Sequence, residues 1–152
     1  MAIHAAVVVV TALALAGCMT GNDSDTNGQE QRFVLREVAG CSSQERASEI
    51  IRDAGAFDDF WARYCRGAPA TVDFENEDVA AYFHGPHNSG GLRIEIREAH
   101  REDASYAISV AQVSGAGACP TADVFSYPSH VVVLEKLNLP ATFKIIKDEV
   151  PC

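Results

Sequence analysis

The sequence predicts a mainly β domain of the α+β kind, an antiparallel, sandwich-like sheet with one packed amphipathic helix. Three observations point there. Leu92–Ala99, LRIEIREA, alternates strictly, with Leu92, Ile94 and Ile96 on one face and Arg93, Glu95 and Arg97 on the other. That period of two belongs to a half-buried strand. Ser105–Val113, SYAISVAQV, answers it with Tyr106, Ile108 and Val110 inward. Only Ala54–Arg66 carries a helical period: Phe57, Phe60, Trp61 and Tyr64 fall at i, i+3, i+4 and i+7, one apolar face for a helix to lay on a sheet.

Taken in order, Arg32–Ala39 alternates loosely and reads as the first strand, ended by Gly40, and Ser48–Arg52 as a short second. Asp53 caps the helix; Asp58 and Asp59 fall in its first turns, Arg63 and Arg66 in its last, and Gly67 follows at the C-terminal end, the order the helix dipole favours. Val72–Phe74 leads into a turn at Glu75–Glu77, and Asp78–Gly85 reads as a buried strand. His100–Asp103 turns the chain between the two alternating strands. A loop over Ser114–Asp123 follows, then strands at Ser129–Lys136 and Ala141–Lys147. Tyr127-Pro128 holds the chain extended where the first of these begins.

The N-terminus sets the compartment. Ala5–Leu15 is a run of eleven, apolar but for Thr11, short of the roughly 20 residues a membrane-spanning helix needs and suited to the core of a secretory signal. It ends in Leu15-Ala16-Gly17-Cys18, which resembles the lipobox of bacterial lipoproteins. That resemblance implies a signal peptide over residues 1–17, a diacylglyceryl group on the Cys18 sulfur and a third acyl chain on its amine; several chains anchor stably where one binds marginally. Met19, where Asp would signal inner-membrane retention, points to the periplasmic side of the outer membrane in a host that has one. Thr20–Gln31, TGNDSDTNGQEQ, lacks large apolar residues and cannot bury enough surface to fold. Residues 18–31 are therefore expected to form a lipidated tether, and residues 32–152 one globular domain.

With Cys18 assigned to lipid, Cys41, Cys65, Cys119 and Cys152 remain. An even number in an exported domain reads as two disulfides. None forms a C-x-x-C pair, and of the three pairings the short-range closure Cys41–Cys65 with Cys119–Cys152 is preferred. The 21 acidic and 12 basic residues all follow Cys18 and give a net charge of −9. An acidic domain is repelled by phosphates, which argues against nucleic acid and against flat docking on anionic lipid.

The order from the aromatic helix through VDFENEDVAAYFHG, a Pro–Gly-Gly loop, an alternating strand, a Cys-Pro loop and YPSHVVVL resembles the C-terminal domain of the PrcB family, named for a component of a bacterial cell-surface protease complex. The resemblance runs from about Val34 to Ile146 and is most specific over Val72–Ile96. Asn88-Ser89 and Leu92 depart from the family's common residues. It implies a protein-binding module that assembles or stabilises an extracytoplasmic protease complex, and it brings no catalytic residues.

The loop GPHNSGG, residues Gly85, Pro86, His87, Asn88, Ser89, Gly90 and Gly91, is the candidate site. His84-x-x-His87 supplies two of the three or four ligands a metal needs, with no Asp, Glu or Cys beside it, so no metal or other cofactor is expected. As an anion cradle the loop lacks a Lys-Ser/Thr and leads into a strand instead of a helix. Pro, Asn and Gly suit a hairpin turn, yet seven residues exceed the usual two to five. A long loop on a rigid sheet is where binding tends to sit. The expected partner is another envelope protein, with a protease cleft as the sharper alternative and a small-ligand or metal site as a third. No Gly-x-Ser-x-Gly or Ser-x-x-Lys occurs, and the acidic pairs Asp58-Asp59, Glu75/Glu77/Asp78 and Glu102-Asp103 fall at turns or the helix start. No enzyme is expected.

Overall fold

The computed structural model describes residues 31–116 and 119–151. The signal segment, Cys18, the tether as far as residue 30, and Cys152 lie outside the described residues. The domain is mainly β with one helix: β1 (Gln31–Glu37), β2 (Ala47–Ile51), α1 (Ala54–Tyr64), β3 (Glu77–Phe83), β4 (Arg93–Glu102), β5 (Ser105–Gly115), β6 (Ser129–Glu135) and β7 (Ala141–Val150). They form a single curled sheet in the order β2-β3-β6-β1-β4-β5-β7.

Every neighbouring pair is antiparallel except β5 and β7, which run parallel from Tyr106↔Ala141 to Gly115↔Val150. The sheet is therefore mixed, which corrects the fully antiparallel expectation. The cause lies in the links. Residues 136–140 reverse the chain after β6, and the curl places the returning strand beside β5, which itself runs opposite to β6. Periodicity fixes which residues face inward and says nothing of strand direction.

Beta1 joins the two halves of the sheet. Residues 31–33 pair with β4, and residues 34–37 pair with β6 across a bulge between Val34 and Arg36. Beyond that division the His130 side chain of β6 reaches β4 directly: its Nδ1 accepts from the Ile96 N–H at 2.8 Å. The bond requires an unprotonated Nδ1. Burial lowers the pKa of His130, against the upward pull of Glu37 and Glu95.

The curl produces two cores. Inside it, Ala80 and Tyr82 of β3 and Val132 and Leu134 of β6 meet Ile94, Ile96, Tyr106, Ile108 and Val110 from the other half. On the outside of β3 and β6, Val79, Ala81, Phe83, Val131 and Val133 receive Phe57, Phe60 and Trp61 of α1. Both strands are covered on both faces, which is why VVVL reads as a continuous apolar run. Phe143 of β7 reaches Tyr82 of β3 across the curl, ring centroids 6.2 Å apart.

Local details depart from expectation. Asp53 does cap α1, its carboxylate accepting from the Ala56 N–H at 2.9 Å, but Asp58 and Asp59 lie beyond the first turn, which holds no acid. Beta4 continues through His100 to Glu102, so the turn is confined to Asp103 and Ala104, with Asp103 at φ +34°. Val72–Phe74 is not a strand. Beta1 begins at Gln31, one residue inside the expected tether. A disulfide joins Cys41, after β1, to Cys65, at the end of α1. Cys119 is also disulfide-bonded, while the expected partner, Cys152, is outside the described residues.

Candidate functional site

Beta3 and β4 lie in different halves of the sheet, so the segment between them is not a hairpin. It crosses the open end of the curl, and that crossing requires its length. The segment between β5 and β6 crosses back at the same end, because β6 neighbours β3 and β5 neighbours β4. Topology thus sets two long connections side by side.

They are hydrogen-bonded to each other. His87 and Ser126 exchange both backbone bonds, His87 N to Ser126 O at 2.9 Å and Ser126 N to His87 O at 2.8 Å. The Gly90 N–H donates to Ala122 O at 3.0 Å, and the His84 N–H to Pro128 O at 2.9 Å. The Ser126 hydroxyl donates to Ser89 O at 2.7 Å. Within Gly85–Gly91, His87, Ser89 and Gly90 bond to the second segment, and Pro86, Asn88 and Gly90 are exposed. Gly85 takes φ +82°, and a Cβ there would lie 3.1 Å from the Arg46 backbone nitrogen. A Cβ on Gly91 would stand 2.3 Å from Thr121 Cγ2. Gly91 is fixed by the close approach of the two segments, and Gly85 by its left-handed φ and the nearby Arg46 backbone.

The His84 and His87 rings meet edge-on with centroids 5.5 Å apart. Arg46 donates from Nε to His84 O at 3.3 Å. Burial first, then the Arg46 charge and His87, lower the His84 pKa, so this imidazole is neutral at neutral pH. Among the described residues no three His, Cys, Asp or Glu side chains converge on a common point. A cleft beside the histidines includes Lys147 and Glu149 in its lining.

The second crossing segment exposes Phe125 at 78 %, Val124 at 52 % and Tyr127 at 42 %, beside the Pro86–Asn88 tip. Sequence reasoning placed the site on Gly85–Gly91 and passed over this partner segment. The available signal was Val124-Phe125-Ser126-Tyr127, an apolar and aromatic run with no strand of its own. Of the other predicted site residues, Cys41 and Cys65 come together at the end of α1, and Cys18 and Cys152 lie outside the described residues.

Among the described residues no helix is long and apolar enough to cross a membrane. No protein-family model matches the chain, and no curated protein and no solved structure matches it.

Proposed function

We propose that this chain is a lipid-anchored protein of the bacterial cell envelope and a non-enzymatic binding module, which grips another envelope protein with its two crossing segments. The observation that carries the reading is the pairing of Gly85–Gly91 with Thr121–Pro128, which holds exposed Val124, Phe125 and Tyr127 on a braced frame. Exposed aromatic side chains on a rigid support are the usual anchors of protein interfaces, and bracing reduces the ordering cost of association.

Chain direction supports the same reading. Beta1 starts at Gln31, paired with His100 near the β4–β5 turn, and runs toward the crossing segments. A lipid tether on Cys18 would enter at the opposite end of the domain and leave the contact surface facing away from its membrane. The Leu-Ala-Gly-Cys motif and the Cys41–Cys65 disulfide favour an exported protein. The PrcB-like resemblance makes assembly or stabilisation of an extracytoplasmic protease complex the role of choice.

The test is made in the native envelope. Labelling with a fatty-acid analogue is expected to mark the full chain and to be lost in Cys18→Ala. A partner that co-purifies with the wild-type chain is expected to be lost in the doubly substituted Asn88→Ala, Phe125→Ala chain, with thermal unfolding unchanged. Retention of the label in Cys18→Ala, or of the partner by the loop variant, would contradict the proposal.

A further inference from the structure

We infer that Asp123–Tyr127 lies as an added strand in the active cleft of an endopeptidase with an aromatic primary pocket, and that Phe125 fills the pocket. The inference rests on the two-segment surface proposed above and names the class of partner that surface takes.

The backbone supplies the first argument. Ala122 O bonds to Gly90, and Ser126 N and O bond to His87. Along an extended chain, successive residues turn their peptide groups to opposite edges. Residues 122 and 126 share the inner edge, so Asp123 and Phe125 present theirs outward. Their backbone groups take no partner within the described residues. An extended peptide added to a sheet edge is held through main-chain groups at alternate positions, while side-chain pockets set the choice of residue. A residue over the primary pocket and the residue two before it is the spacing that Phe125 and Asp123 offer.

The side chain supplies the second. Phe125 is the most exposed large apolar residue among those described, at 78 %, and it projects from a segment whose flanks are fixed. Cys119 is disulfide-bonded upstream. Pro128 O is held by the His84 N–H downstream, and the Ser126 hydroxyl is tied to Ser89 O. A peptide braced in this way enters a cleft with little further ordering. Hydrolysis at Phe125–Ser126 would add water to give a Phe125 carboxylate and a Ser126 amine. Both new ends would stay in place, one through the Gly90–Ala122 bond and the other through the His87–Ser126 bonds, so the nicked chain would keep blocking the cleft.

The experiment uses the full chain with chymotrypsin and trypsin as probe proteases. Competitive inhibition of chymotrypsin is expected, with trypsin unaffected. Phe125→Ala should weaken inhibition by roughly 100-fold, and Phe125→Lys should transfer it to trypsin. Phe125 is exposed, so unfolding curves of the variants should match the wild type. No inhibition of chymotrypsin, inhibition indifferent to residue 125, or cleavage after Phe125 at the rate of an unstructured peptide would overturn the inference. A chain that fails here yet still loses its envelope partner in the Asn88→Ala, Phe125→Ala variant would leave the binding-module reading standing alone.

Discussion

Lys136 Nζ lies 2.9 Å from Oδ1 of Asp78, a carboxylate with no solvent exposure. The other Asp78 oxygen accepts from the buried Leu137 N–H at 2.9 Å, and the Arg52 guanidinium stands 3.9 Å away. Lys136 also donates to Phe74 O at 2.8 Å and to Arg52 O at 3.3 Å. These residues tie the end of β2, the start of β3 and the β6–β7 link together at the end of the curl opposite the crossing segments.

Removing one partner of a buried ion pair typically costs about 3–5 kcal/mol, and the 35 % exposure of the Lys136 side chain puts this pair at the lower end of that range. Lys136→Met is expected to lower the unfolding free energy by about that much, because Asp78 stays buried with only the more distant Arg52. Asp78→Asn keeps an acceptor for Leu137 and should cost less. Chemical denaturation of the two variants checks the order.

The Cys41–Cys65 bridge spans a sequence separation of 24. Closing a loop of that size in the unfolded chain contributes about 3 kcal/mol on the chain-entropy account. The Cys41→Ser, Cys65→Ser double variant should lose about that stability while keeping its far-ultraviolet circular dichroism at low temperature.

Protonation acts through His130. Its folded pKa lies below the unfolded value of about 6.5, so the fold favours the neutral ring. The resulting stability is fully present above pH about 6.5 and is lost as pH falls through the folded value. His84 shifts in the same direction and adds to the effect. Glu77 and Glu95, whose pKa values are lowered chiefly by Arg36 and Arg93 respectively, lose their contributions at more acidic pH. His130→Asn places an amide oxygen near the Nδ1 position and removes the titration. Unfolding free energy measured against pH should therefore lose part of its slope below pH about 6.5, the His84 share persisting.

Gly85 lies between the end of β3 and the paired crossing segments, with φ +82°. Alanine there must adopt the left-handed conformation, at about 1–2 kcal/mol, with its Cβ 3.1 Å from the Arg46 nitrogen. Gly85→Ala is expected to lower stability by at least that amount and to speed amide exchange at His87 and Ser126, where the two segments are joined.

The helix and the inward faces of the strands were legible because both leave a period in the sequence. Phe57, Phe60 and Trp61 are buried on one face of α1, and Ile94, Ile96, Tyr106, Ile108 and Val110 point inward as their alternation requires. The pattern shifts past Ile96, where a bulge turns Ala99 inward in place of Glu98. The direction of β7 left no such trace: it follows from the reversal at residues 136–140 and from the curl, both properties of the assembled sheet. The same holds for the site. Gly85–Gly91 stood out by composition and length, but its partner segment could be identified only once strand order set the two crossings beside each other. Phe125 then changes from an unplaced aromatic into the most exposed part of a braced surface.

The most direct measurement is photo-cross-linking in intact cells from a photoreactive residue placed at position 125, at 88, or at 103 on the opposite end of the domain. The account predicts one discrete protein adduct shared by positions 125 and 88 and absent at 103. Adducts equal at all three positions, or none at 125 and 88, would contradict it.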